Sequence, residues 1–198
     1  FIIGSTGIVT TSYVIANNSG AAKHTLTMNS GGLLQIGVSN SSSSSFFMTT
    51  NNIYNLNAGS TIEYNSVGVD QYVDSTFTYA NLKISGTSTK YAIGPIRIAG
   101  NFDITGAPPL TFVPYPANPL VFVGGNWTNY GSLGFSEGTS TVTFNGSGNQ
   151  TVLSSGGDDF YNLIVNKSGG KVVLSSVTPT IIRISNVLDL TLGNILAS

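Results

Sequence analysis

The sequence has no cysteine and little charge. Its 198 residues include one histidine and one tryptophan, and charged residues make up 8% of the chain. The absence of cysteine excludes a disulfide framework, a cysteine nucleophile and a thiolate zinc site. The seven Lys and Arg residues are scattered singly, and the formal net charge is −1. A nucleic-acid-binding protein usually concentrates its basic residues on one face, so the charge pattern argues against that class.

Long hydrophobic runs are also absent. The apolar stretches are short, such as VFV at 121–123, and none approaches the roughly 18 apolar residues of a membrane span. No signal peptide is visible. The chain begins and ends in repeat-like sequence, so we predict that residues 1–198 are a single segment of a longer chain. Low charge with abundant Ser, Thr, Asn and Gly favours an extracellular or cell-surface protein.

The most informative feature of the sequence is a nested repeat. The segment STIEYN at 60–65 returns 80 residues later as STVTFN at 140–145. A shorter period lies inside the longer one, because GNF at 100–102 is echoed 25 residues later by GNW at 125–127. Repeats of this size indicate stacked units, none of which can bury its apolar face alone.

The offset of the long repeat is not constant. NLKI at 81–84 returns as NLIV at 162–165, which is 81 residues later. IRI at 96–98 returns at 182–184, which is 86 residues later. Such drift is typical of coils that tolerate insertions at their turns.

Apolar and polar residues alternate in many short runs, including TLTM at 25–28 and VTF at 142–144. A period of two with β-branched and aromatic residues predicts strands that bury one face. Between these runs lie Gly, Asn and Ser, which supply tight turns. No window has a convincing helical stripe, so the fold class is predicted to be all-β.

Two all-β architectures fit this pattern. A row of tandem β-sandwich domains would have a period of about 80 residues. A parallel β-solenoid would have coils of roughly 20–25 residues, or about nine coils in this chain. The 25-residue echo and the drifting offset favour the solenoid, in which the long repeat would be a group of three or four coils.

In a solenoid, alternate side chains of each strand face the core. The inward residues are predicted to be Leu82, Ile84, Ile96, Ile98, Phe102, Ile104, Val142, Phe144, Leu163, Val165, Ile182, Ile184, Leu188 and Leu190. The outward residues are predicted to be Lys83, Arg97, Asp103, Thr143, Arg183 and Asp189.

Two segments interrupt the rhythm of strands. The proline-rich segment 107–120 lacks several ladder donors, because proline has no N–H, and we predict an irregular loop there. The serine run at 41–45 is predicted to be an exposed loop.

The C-terminal half carries a recognisable wording. It reads VGGNWTNYG at 123–131, GTSTVTFNGSGNQT at 138–151 and FYNL at 160–163. This resembles the repeat of very large, filamentous, adhesin-like β-helix proteins on the cell surface of Bacteroidota. The likeness is close over about 120–195 and looser over 56–106. The N-terminal 55 residues fit only in style.

The resemblance implies export to the cell surface, often through type IX secretion, and a structural or adhesive role without catalysis. It brings no catalytic residues to this chain. The expected partners are neighbouring coils of the same longer chain, together with surface glycans or secretion and anchoring proteins. A glycan-binding module and a polysaccharide-active enzyme on a β-helix remain alternative functions.

The candidate reactive residues favour neither a metal site nor an enzyme. His24 is the only histidine, and it lacks visible partners for a metal or a catalytic triad. Asp158 and Asp159 are residue types that bind Ca²⁺, as are Asp70 and Asp74, but the nonapeptide ladder of calcium-filled solenoids is missing. We therefore predict charged turns at these positions and no catalytic, cofactor or metal site.

A polysaccharide-active enzyme would need two or three carboxylates on one exposed face. The eight acidic residues are spread over the whole chain. Asp103 and Asp189 occupy equivalent repeat positions, which favours a structural role for both.

Aromatic residues on the surface would favour glycan binding. Trp127 matches Phe102 in the repeat, so we predict that it lies in the core. The tyrosines expected to be partly exposed are Tyr72, Tyr79, Tyr91, Tyr115 and Tyr130. The triplet DST at 74–76 resembles the short motif at which exported Bacteroidota proteins are O-glycosylated, which makes Ser75 a candidate modification site.

Overall fold

A computed structural model describes residues 1–11, 25–37, 53–106, 110–114, 119–130, 134–177 and 180–197. These residues contain strands and no helix. The strands, in chain order, are β1 (Ile2–Ile3), β2 (Ile8–Thr11), β3 (Thr25–Met28), β4 (Leu33–Ile36), β5 (Ile53–Leu56), β6 (Thr61–Tyr64), β7 (Gln71–Val73), β8 (Thr78–Tyr79), β9 (Asn81–Ile84), β10 (Thr89–Ala92), β11 (Ile96–Ile98), β12 (Phe102–Ile104), β13 (Thr111–Pro114), β14 (Leu120–Val123), β15 (Trp127–Asn129), β16 (Thr141–Phe144), β17 (Gln150–Ser154), β18 (Asp158–Asn166), β19 (Val172–Leu174), β20 (Ile182–Leu192) and β21 (Ile195–Ala197).

The strands form parallel sheets that run the length of the molecule. The long sheet has nine strands in the order β2-β4-β6-β9-β12-β15-β17-β19-β21. The second sheet has the order β20-β18-β16-β14-β11-β8, and the third sheet has the order β13-β10-β7. A further N-terminal sheet has the order β1-β3-β5.

The chain visits these sheets in rotation, for example from β9 in the long sheet to β10 in the third and β11 in the second. It then returns to the long sheet beside its earlier strand. Partner residues in neighbouring coils of the long sheet are 20 to 28 positions apart. The architecture is therefore a parallel β-solenoid, as the repeat predicted. Every strand pairing is parallel, which excludes the antiparallel sheets of tandem sandwiches.

The core consists of inward side chains stacked from coil to coil. In the long sheet, Leu82 pairs with Phe102, and Phe102 pairs with Trp127. The Phe102 and Trp127 ring centroids lie 4.9 Å apart with the edge of one ring toward the other. Trp127 is fully buried, so its predicted place in the core is confirmed. The 25-residue echo of Gly-Asn-aromatic is one turn of the solenoid.

Most of the predicted inward residues are buried, but the last coil differs. Ile182 and Ile184 are only half-buried, and Leu188 and Leu190 are 47% and 39% exposed. Leu188 is in register with the buried Leu163, so it faces the same side of the sheet. Strand β20 is the end strand of the second sheet, so no further strand of that sheet covers this row.

Thr143 was predicted to face solvent, and its burial corrects this. It lies on the outer side of β16 but is only 6% exposed. It pairs with Phe122 on one side and Ile164 on the other. These two larger side chains cover the threonine between them.

The predicted loop at 107–120 contains a strand. Thr111–Pro114 forms β13, whose four residues pair with β10. The strand lies at the edge of the third sheet, where the missing N–H of Pro114 removes no ladder bond to a further strand. Residues 107–109 and 115–118 lie outside the described residues, as does the serine run at 41–45.

The two copies of the long repeat lie on different sheets. Strand β6, in the first copy, belongs to the long sheet, whereas its equivalent β16 belongs to the second sheet. The same holds for β9 and the corresponding part of β18. Eighty residues are therefore not a whole number of coils, and the second copy is rotated about the solenoid axis by one face. The expectation that the long repeat is a group of whole coils is corrected accordingly.

Candidate functional site

The one predicted acidic pair lies in a pocket. Its volume is about 460 Å³, and its lining includes Glu137, Asp158, Asp159 and Arg183. Asp158 and Asp159 begin β18, and Arg183 lies opposite Asp159 on β20. The parallel pairing of these strands thus brings together residues that are 24 positions apart in the sequence.

Asp158 turns away from solvent into the core. It is 2% exposed, and its Oδ2 accepts a hydrogen bond of 2.8 Å from Trp127 Nε1. Its Oδ1 accepts a bond of 2.6 Å from Asn129 Nδ2. Burial raises the pKa of the Asp158 carboxyl, although these hydrogen bonds oppose the shift. Because both oxygens already have partners, the geometry favours a structural role, in which Asp158 satisfies the buried indole and amide.

Asp159 and Arg183 form an exposed ion pair. The distance from Arg183 Nη1 to Asp159 Oδ1 is 3.1 Å, and both side chains are largely exposed. Such a surface pair contributes little to stability, but it neutralises the carboxylate at the pocket mouth. Among the described residues, no group of three or more acidic or histidine side chains is placed to hold a metal ion.

Asp74 is a structural residue of the second sheet's corner. Its Oδ1 accepts hydrogen bonds from the backbone N–H and the hydroxyl of Thr76, at 2.7 and 2.6 Å. Its backbone carbonyl accepts a bond from the Tyr79 hydroxyl at 2.7 Å. The Tyr64 and Tyr79 hydroxyls lie 2.9 Å apart. Burial raises the pKa of both tyrosines well above the ordinary value. Tyr79 is fully buried, so its predicted exposure is wrong.

The other predicted site residues are dispersed. Ser75 is half-buried, and its glycosylation remains a prediction. Asp70 is exposed, and its Oδ1 accepts the backbone N–H of Thr89 at 3.2 Å. Tyr72 and Tyr91 are half-buried neighbours whose ring centroids lie 5.6 Å apart, and Tyr130 is 57% exposed. His24 and Tyr115 lie outside the described residues.

Sequence reasoning missed two buried glutamine clamps. Gln71 donates from Nε2 to the Ile36 carbonyl at 2.7 Å, and its Oε1 accepts the Ser66 N–H at 3.2 Å. Gln150 donates from Nε2 to the Val123 carbonyl at 2.9 Å, and its Oε1 accepts the Gly146 N–H at 2.9 Å. Each glutamine therefore ties its own turn to the preceding coil.

A lysine reinforces each clamp. Lys90 Nζ donates to the Ser66 carbonyl at 3.2 Å, and Lys167 Nζ donates to the Gly146 carbonyl at 2.7 Å. Ser66 and Gly146 are equivalent positions of the long repeat, and both lysines are buried. The signal that could have revealed the clamps is the glutamine that follows the repeated Asn65 and Asn145 at nearly the same distance.

An asparagine ladder was also missed. Asn81 Oδ1 accepts the N–H of Asn101 at 2.8 Å, and Asn101 Oδ1 accepts the N–H of Asn126 at 2.9 Å. Asn126 Oδ1 accepts the N–H of Thr151 at 2.8 Å. The repeated Gly-Asn dipeptide carried this signal, because an amide side chain at a coil corner can bond the next coil's backbone.

A comparison of the chain with protein-family models, with curated proteins and with solved structures finds no match. No helix among the described residues has the length and hydropathy needed to cross a membrane.

Proposed function

We propose that the chain is a structural stalk or adhesive segment of an exported bacterial cell-surface protein, and that it has no catalytic activity. The observation that carries the proposal is the direction of its polar side chains. They bond along the solenoid, from one coil to the next, and so stiffen a rod rather than converge on a substrate.

The outer face of the long sheet illustrates this direction. Gln35 Nε2 donates to Glu63 Oε2 at 2.8 Å, and Lys83 Nζ lies 2.9 Å from Glu63 Oε1. Ser85 donates to the same oxygen at 2.7 Å. Burial alone would raise the pKa of Glu63, but these hydrogen bonds outweigh it and lower the pKa. The carboxylate is held as a link between three coils and is not free for chemistry.

The repeat wording supports the surface location. The segments at 123–131 and 138–151 resemble repeats of filamentous Bacteroidota adhesins, and low charge with abundant small polar residues suits an extracellular rod. In this proposal the partners are neighbouring coils of a longer chain, with surface glycans or anchoring proteins at its ends.

Labelling of intact cells of the source organism tests the location. An antibody raised against this chain should label intact cells, and protease added to those cells should remove the label. A cytoplasmic protein treated in parallel controls for lysis. Labelling that requires permeabilised cells would contradict the proposal.

The rival hypothesis is a polysaccharide-active enzyme that uses Glu137, Asp158 and Asp159. The pocket around these residues is the observation that favours it. Reducing-end release from a panel of bacterial and plant polysaccharides distinguishes the two. We expect none from the wild type. Activity that is lost in Asp158→Asn and Glu137→Gln, but kept in Asp70→Asn, would establish the enzyme instead.

A further inference from the structure

A second groove lies on the outer side of the second sheet. Its volume is about 450 Å³, and its lining includes Thr78, Arg97, Phe122, Asn145 and Ser147. Arg97 on β11 is in register with Thr78 on β8 and with Phe122 on β14. The parallel register therefore sets these three outward side chains in one row, and the turn after β16 closes one side.

Arg97 carries the only charge on the lining of this groove. Its guanidinium carbon lies 5.7 Å from the centre of the Phe122 ring, and the side chain is exposed. All eight acidic residues of the chain are among the described residues. The ion pairs found in that part of the chain join Lys83 to Glu63 and Arg183 to Asp159. No carboxylate of the described chain neutralises Arg97.

The repeat supplies a comparison. Arg97 and Arg183 are the central residues of the two IRI segments. Arg183 lies at the acidic pocket, where Asp159 is its partner at 3.1 Å. At the equivalent place beside Arg97 the neighbouring strand carries Phe122 in register. One arginine therefore has its carboxylate inside the protein, and the other presents its donors to a groove.

The floor of the groove adds positive potential. The Gly146 carbonyl, on the floor, accepts a bond of 2.7 Å from the buried ammonium of Lys167. A side chain at Gly146 would collide with the Gly124 carbonyl of the preceding coil, so the floor stays open. An anion in the groove would lie near one exposed and one buried cation, with no acidic residue on the lining.

We infer that this groove binds a carboxylate-bearing sugar, such as a uronate unit of an acidic polysaccharide. A guanidinium presents paired donors that match the two oxygens of a carboxylate. Thr78, Asn145 and Ser147 offer hydroxyl and amide groups for sugar hydroxyls. The volume falls in the range of small-ligand sites. This inference goes beyond the proposed stalk role, which does not require a ligand.

Isothermal titration calorimetry with tetragalacturonate tests the inference, and maltotetraose serves as the uncharged probe. The wild type should bind tetragalacturonate and should bind maltotetraose at least about tenfold more weakly, because charged hydrogen bonds to the carboxylate are lost. Arg97→Ala should weaken tetragalacturonate binding by about tenfold or more. Arg183→Ala is the matched control, since its arginine already has a carboxylate partner, and it should bind like the wild type.

Three results would overturn the inference. They are no binding of tetragalacturonate to the wild type, equal binding of the two probes, and equal losses in Arg97→Ala and Arg183→Ala. Arg97→Lys keeps the charge without the planar fork, and it should recover only part of the affinity. Circular dichroism spectra that match the wild type ensure that each variant is folded. None of these results bears on surface labelling, so the stalk proposal stands or falls separately.

Discussion

Phe144 shows how a single side chain joins the faces of the solenoid. It is fully buried on β16, in register with Val123 in one neighbouring coil and Val165 in the other. Its ring centroid lies 6.3 Å from that of Trp127, which belongs to the long sheet. The residue therefore contributes to stacking along the axis and to contact between two sheets.

Replacing Phe144 with alanine should lower the free energy of unfolding by about 3–5 kcal/mol, because it leaves a cavity that the neighbouring coils cannot fill. Tyr130→Ala is a suitable control, since that aromatic side chain is mostly exposed. Urea denaturation followed by circular dichroism measures both. A loss below about 1 kcal/mol in Phe144→Ala would show that the core is not packed around this ring.

Lys90 is the other informative residue at this scale. It is buried, and its ammonium donates to the carbonyls of Ser66 and Ser88 at 3.2 and 2.9 Å. Burial lowers its pKa to about 8, and Asp70 partly opposes this shift. The ordinary value is 10.5. Between these two values the unfolded chain holds the proton and the folded chain releases it.

The pH dependence of stability follows from this difference. In that window the unfolded state binds more protons, so the Lys90 contribution to the free energy of unfolding increases with pH. From pH 7 to 10.5, the wild type should gain about 2–3 kcal/mol relative to Lys90→Met. Urea denaturation of both proteins across this range measures the gain, and other titrating groups cancel in the difference. Parallel pH profiles would contradict the lowered pKa.

At the scale of elements, the corners between strands determine how closely coils stack. Gly125 precedes β15 at the corner where the asparagine ladder runs. A Cβ on Gly125 would lie 2.5 Å from the Gly100 carbonyl carbon and 2.6 Å from Asn101 Oδ1. The Gly-Asn dipeptide is thus a unit, in which the asparagine bonds to the next coil and the glycine leaves room for the preceding one.

Gly125→Ala should lower the free energy of unfolding by about 1–3 kcal/mol, because either the backbone of two coils or the ladder must move apart. Gly148→Ala is the matched control, since a Cβ there has no neighbour within 4 Å. It should change the stability by less than about 0.5 kcal/mol. Thermal unfolding of the two variants makes the comparison, and equal effects would show that close stacking at the corner is not required.

At the scale of the whole molecule, both ends of the described stack expose apolar side chains. Phe1, Ile2 and Ile8 are exposed at one end, and Leu188 and Leu192 at the other. Strands β2 and β21 are the two edges of the long sheet, and each pairs on one side only. Unpaired parallel edges with apolar residues tend to pair with another chain.

We therefore expect the 198-residue chain to associate end to end as its concentration increases. Analytical ultracentrifugation should detect dimers and longer species. Leu188→Lys places a charge on the exposed inner row and should weaken the association, whereas Tyr130→Lys, in the middle of the stack, should not. A chain that stays monomeric at millimolar concentration, with protected terminal amides, would show that its ends are covered.

The sequence by itself determined the strands, their inner and outer faces and the solenoid. Alternation of apolar and polar residues is a local pattern with a period of two, so Leu82, Phe102 and Phe144 could be placed in the core without coordinates. The 25-residue echo predicted the pairing of Phe102 with Trp127, because equivalent residues of stacked coils become neighbours.

Only the tertiary structure decided which polar residues meet. The partners of Gln150, Asp158 and Arg97 lie in neighbouring coils, and insertions of a few residues at the turns change which coil position faces which. The same insertions rotated the second copy of the long repeat onto another face. Burial of Thr143 and exposure of Leu188 likewise depend on whether a neighbouring strand covers them. Alternation along a single strand contains no information on that cover.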